Sequence, residues 1–112
     1  MRYLMLGRLD ETKPDAFSPA PEMFAAVQKL GEEMQAAGAL VETHGLLPSS
    51  TGTRVRSELG TPSVRTGPFD EGIGAISNFA IVEAGSAEEA TEWAARFADC
   101  VGQEIEVRQL MG

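Results

Sequence analysis

The chain has one imidazole, His44. With an ordinary pKa near ~6.5, a histidine suits proton transfer at neutral pH. His44 shares a strand face with Leu40, Glu42 and Leu46, and Asp70 or Glu71 could bring it an orienting carboxylate from a loop. The pair His44 and Asp70 is thus the candidate catalytic set, against the commoner role of a hydrogen-bonded surface histidine. Arg54 and Arg56 stand two apart, so a strand turns both to one face. Two guanidiniums there can clamp a carboxylate or phosphate, or pair with the chain's own acids. Glu71, Ser49 and Ser50 complete the candidate polar lining. Adjacent carboxylates at 70 and 71 can raise one another's pKa, although neighbouring side chains on a strand diverge. The hydroxyls of Ser49, Ser50 and Thr51 lack the Gly-x-Ser-x-Gly elbow of a hydrolase nucleophile. The glycines between 67 and 74 lack the lysine of a phosphate-binding loop. Cys100, near a helix end, reads as a packed thiol.

These residues need a scaffold to position them. Residues 2–9 read as a buried strand and residues 10–18 as a loop. Ser18-Pro19 predicts a helix start. Met23, Phe24, Val27, Leu30 and Met34 follow at spacings of three and four, forming one apolar stripe that Gly38 terminates. Met5, Met23, Met34 and Met111 could line an adaptable pocket, with core packing the better account of the two on the helix. Residues 40–47 predict a second strand. Arg54-Val55-Arg56 and Val64-Arg65 flank Leu59-Gly60-Thr61-Pro62 as a hairpin does. Residues 75–84, rich in Ile, Phe and Val, predict a central strand. Ser86 and Glu89 form a capping box before the stripe Ala90, Trp93, Ala94 and Phe97. Glu104-Ile105-Glu106-Val107-Arg108 alternates as a half-exposed strand.

The order predicts an α+β fold: a ferredoxin-like βαββαβ with an inserted β-hairpin and both helices on one face of an antiparallel sheet. The alternating charges at 104, 106 and 108 cover only part of the other face. Two such sheets packed together would bury the rest, so a homodimer is expected.

The length of 112 residues favours one domain spanning the chain. Apolar residues at 43% and charged residues at 23% indicate a globular protein rather than a disordered one. The net charge of −8 argues against nucleic acid or an anionic membrane as partner. One cysteine and one histidine exclude an internal disulfide and a Cys/His metal cluster. No segment approaches the ~18 apolar residues of a membrane span, and the short apolar start is too brief for a signal peptide, so a cytoplasmic location is expected. No cofactor is implied.

Leu46-Leu47-Pro48-Ser49-Ser50-Thr51, then Arg54-Val55-Arg56, then Thr66-Gly67-Pro68-Phe69-Asp70-Glu71 resembles the core signature of the DGPF branch of YCII-related proteins. Ala90-Thr91-Glu92-Trp93-Ala94-Ala95-Arg96, Ile105-Glu106-Val107-Arg108 and Arg2-Tyr3-Leu4-Met5-Leu6 extend the likeness over nearly the whole chain. Thr66 stands where the family's eponymous Asp is expected. Gly72-Ile73-Gly74 replaces the usual Thr-Lys-Glu, and Ser77-Asn78 replaces the usual Gly-Gly. The resemblance implies a ferredoxin-like fold in a dimeric α+β barrel. It also implies kinship with muconolactone-type enzymes and the His–Asp pair invoked for some YCII relatives, a pair whose histidine position His44 does not match. Many DGPF proteins are encoded beside extracytoplasmic-function sigma factors.

Three readings follow. The first is a homodimer that binds a small polar or anionic molecule, or a small cofactor-independent acid–base enzyme, with its pocket between the sheet and the 48–56 and 66–74 loops. The second is a non-catalytic regulatory or protein-interaction domain serving a sigma factor. The third is a structural dimer without a ligand.

Overall fold

The computed structural model describes residues 1–13, 16, 20–69 and 72–112. Ser18 and Pro19, expected to begin the first helix, lie outside them, as do Asp70 and Glu71. Strand β1 (Arg2–Leu9) buries Tyr3, Met5, Gly7 and Leu9 on one face and half-exposes Leu4, Leu6 and Arg8 on the other. Helix α1 (Pro21–Ala36) starts later than the Ser18-Pro19 pair suggested. Pro21 occupies the first turn, and a residue preceding proline is driven out of the helical region. Ala20 is accordingly extended, at φ −67° and ψ 150°, and is itself the N-cap. At the far end Gly38, with φ +72°, lets the chain leave the helix.

Strand β2 (Leu40–Gly45) ends two residues earlier than predicted, and Ser49–Thr51 form a single 3₁₀ turn. Strands β3 (Thr53–Glu58) and β4 (Thr61–Thr66) make the expected hairpin. Its turn is only Leu59-Gly60; Thr61 and Pro62 already belong to β4. Both turn residues have positive φ, which suits the right-handed twist of the two strands. Pro62 is tolerated because a two-stranded ribbon consists only of edges.

After a short 3₁₀ turn at Gly72–Gly74 comes β5 (Ala75–Glu83). The capping box holds for helix α2 (Ala87–Val101): Ser86 accepts from the backbone N–H of Glu89, and the Glu89 carboxylate accepts from that of Gly85. Gly102, with φ +65°, caps its end, and β6 (Glu104–Gln109) follows.

The main sheet runs β2-β5-β1-β6 with every neighbouring pair antiparallel. This is the α+β, ferredoxin-like arrangement, with the β3–β4 hairpin forming a sheet of its own. Both helices cover one face. Leu30 and Met34 of α1, and Ala90 and Ala94 of α2, pack with Tyr3, Met5, Ala80 and Val82. The alanines at 80, 84, 90 and 94 are small enough for helix and strand to lie close there.

The opposite face carries Leu4, Leu6, Phe79 and Ile81, all half-buried. Charged side chains flank this strip. Arg8 donates to Glu106 at 2.8 Å, and Arg108 donates to the same carboxylate at 2.6 Å. Among the described residues, no helix is long and apolar enough to cross a membrane.

Candidate functional site

Only the second half of the α1 stripe reaches the core. Leu30 and Met34 are buried, while Met23 and Val27 are half-buried and Phe24 is 65% exposed. Those three residues, with Phe97 and Val101 at the far end of α2, form the apolar wall of a cleft of about 870 Å³. Its other side is the end of the sheet: Leu9 from β1, Ser77 and Asn78 from β5, and the end of β2 from Thr43. The sequence stripe reads as uniformly core-facing, but the two helices close over the sheet at one end only.

The polar floor arises from an irregularity in strand pairing. Gly7 pairs with Asn78 and Arg8 with Ile76, so Ser77 is an extra residue in β5. The bulge leaves Ser77 buried, at 8% exposure, with its Oγ within 3.0 Å of Gln103 Oε1 and 3.4 Å of the Gly7 carbonyl. Asn78 Nδ2 donates to Ser77 Oγ at 3.1 Å and lies 3.4 Å from Gln103 Oε1. Gly7 makes this possible: a Cβ there would lie 2.4 Å from Asn78 Oδ1. A polar Ser-Asn pair within an otherwise apolar strand was the available signal, because buried polar groups require partners. Gln103 was not foreseeable, as only the folded α2–β6 connection brings it to them.

Charges gather on the rim. Arg8 is held by Glu106 and by the Gly74 carbonyl, 3.4 Å away. Asp10 accepts from the Thr12 hydroxyl at 2.6 Å and the Thr12 backbone N–H at 2.9 Å. The hydroxyl bond first, then the backbone bond, holds the Asp10 carboxyl below its ordinary pKa, with the charge of Lys13 helping slightly. Lys13 and Glu104 border the same cleft.

His44 also borders it. Its carboxylate partner is Glu42, two residues earlier on β2, with Nε2 and Oε1 2.9 Å apart; its ring lies 5.5 Å from that of Phe79. The other sequence candidates lie elsewhere. Ser49 donates its hydroxyl to Glu11 and accepts from the Phe69 N–H at 3.0 Å, while its own N–H donates to Glu11 at 2.8 Å. It therefore ties two loops to the exit of β1. Ser50 sits exposed in the same 3₁₀ turn.

Arg54 and Arg65 are directly opposite on the hairpin, an arrangement that repels like charges. The Phe69 ring offsets this, with the two guanidiniums 4.2 and 5.1 Å from its centre. Arg56 shares the Arg54 face and pairs with Glu58 at 3.7 Å. Thr66 closes the hairpin opposite Thr53, and Gly67 follows where a Cβ would overlap the Ser49 carbonyl. Beside these loops lies a smaller hollow of about 330 Å³, lined by Asp10, Glu11, Thr12, Phe69 and neighbours. Of the described candidates, then, His44 borders the large cleft, while Ser49 and Arg54 act on the loops and Arg56 on the hairpin.

Residues 1–111 match the family of the YCII-related domain. The chain belongs to that family. No curated protein matches it. In this YCII-related chain Ser77-Asn78, noted in the sequence as a departure from the family pattern, forms the floor of the large cleft.

Proposed function

We propose that the protein binds a small amphipathic molecule in the helix-side cleft and acts as a homodimer joined through the open sheet face. The observation that carries the ligand reading is the apolar wall of exposed Phe24 and half-buried Met23, Val27 and Phe97 set against a polar floor of Ser77, Asn78 and Gln103. Small-molecule sites combine an apolar concavity with a few convergent polar groups in this way. A large aromatic side chain left 65% exposed gains by being covered.

Acid–base chemistry is the extension of this reading that one further observation favours. The His44–Glu42 pair sets an oriented imidazole on the rim, where it could accept a proton from a bound molecule without a cofactor. The dimer reading is supported by the half-buried strip of Leu4, Leu6, Phe79 and Ile81, which water covers poorly.

The ligand reading is tested by titrating the ¹⁵N-labelled protein with 2-naphthol. Saturable shifts are expected at Phe24, Val27, Asn78 and Phe97, and Phe24→Ser should weaken binding about fivefold, since fully burying a Phe side chain is worth roughly 1.5–3 kcal/mol and only part of this one is covered. Shifts that never saturate, or that centre on the hairpin, would remove the cleft as the site.

A further inference from the structure

The hydrogen bonds on the cleft floor can be accounted for group by group. Ser77 has one hydroxyl proton, which goes to Gln103 Oε1 or to the Gly7 carbonyl. Its oxygen accepts from Asn78 Nδ2, which also approaches Gln103 Oε1. That leaves Asn78 Oδ1 and Gln103 Nε2 with no bond among the described residues, although both residues border the cleft. No buried side-chain nitrogen or oxygen among the described residues lacks a partner, so these two atoms are accessible rather than sealed in. The two amides approach each other at 3.4 Å through Nδ2 and Oε1, so neighbouring residues supply one unused acceptor and one unused donor. Turning both amides over preserves their contacts with Ser77 and merely exchanges the exposed roles.

We infer that the ligand's polar end is an uncharged group with a hydrogen-bond donor and acceptor next to each other, such as a primary carboxamide or a lactam. This deepens the cleft-binding reading and rests on it. A carboxylate is a poorer match because it accepts only and would face the Asn78 or Gln103 oxygen. The floor holds no cation to pay it back: Arg8 is engaged by Glu106 and the Gly74 carbonyl, and Lys13 stands at the mouth beside Asp10. An ammonium group fails in the opposite sense, since it donates only.

The test compares 3-phenylpropanamide, 3-phenylpropanoate and 3-phenylpropan-1-ol at pH 7, by ¹⁵N titration that includes the side-chain amide signals. The carboxamide should bind at least fivefold more tightly than the carboxylate and shift the Asn78 and Gln103 side-chain signals. Gln103→Met removes the exposed partner while leaving Ser77 its bond to Gly7. It should bring the carboxamide's advantage over the carboxylate within twofold. Gln103→Glu provides a second, more conservative variant and should also cut carboxamide binding. If all three compounds bind alike, or the carboxylate binds best, the inference fails while the cleft reading stands. If none saturates, both fail.

Discussion

Two single residues decide whether the cleft floor and rim hold their shape. Gly7 lies where β1 passes beneath the Asn78 amide, and any Cβ would overlap that side chain. Asn78 can swing away, so Gly7→Ala is expected to fold, at a cost of about 1–2 kcal/mol in thermal or urea unfolding. Its larger effect should be on binding, because the displaced amide abandons Ser77 and Gln103. Retention of wild-type side-chain amide shifts at Asn78 in the variant would contradict this account. Asp10 gives a pH signature. Its carboxyl is lowered by the Thr12 bonds, so the ionised form is favoured in the folded chain. The resulting stabilisation is present above the ordinary carboxylate pKa of about 3.9 and fades as pH falls through the lower folded value. A carbon-detected titration should therefore place Asp10 below about 3.9, and Thr12→Val should move it upward. An unchanged midpoint would show that the hydroxyl bond does not form in solution.

The secondary elements show how far sequence reaches and where it stops. Helix α2 was legible at its start because the signals there are local, the Ser86 cap and the Glu89 carboxylate, while its end at the left-handed Gly102 comes from the structure. Ser86→Ala should accordingly cost about 1 kcal/mol, read as a lower unfolding midpoint in urea with unchanged slope; no loss would mean that Gly85 and Glu89 carry the cap alone. Helix α1 was legible in type and face but not in its start, because two prolines compete and only the backbone restriction before Pro21 decides. Its stripe also concealed a division of labour. Periodicity reports which face is apolar, but not where along the helix a partner stops covering it, so Phe24 read as core and is cleft wall. The bulge at Ser77 and the Ser49–Glu11 contact, made across 38 residues, depend on long-range register that no local pattern encodes. For that reason the fold was readable, whereas the loop contacts of Ser49 with Glu11 and of Arg54 with Phe69 were not.

At the scale of the molecule, the hairpin stands apart from the rest. Every residue of β3 and β4 is exposed, and the face opposite the arginines carries Val55 and Val64 at 66% and 62% exposure. The radius of gyration, 15.7 Å, exceeds the roughly 13 Å of a compact chain this long. A two-stranded ribbon is marginal in water by itself, so an extended arm with an apolar face is best stabilised by packing on another surface. Charge narrows the choice of surface. Residues 53–66 hold three arginines and one glutamate, a balance of +2, against −8 for the whole chain, so the remainder carries −10. A basic arm on an acidic body complements a second copy of the same chain, and this adds to the case for pairing through Leu4, Leu6, Phe79 and Ile81. Light scattering at micromolar concentration should therefore give twice the chain mass. Ile81→Glu, which sets a charge in the middle of the open sheet face, should give the monomer. The double variant Val55→Glu/Val64→Glu should weaken the dimer about tenfold or more without unfolding the main sheet, because the hairpin forms a separate sheet. A wild-type monomer mass would overturn both parts of this argument. A dimer that resists Ile81→Glu but not the hairpin variant would move the interface from the sheet face to the arm.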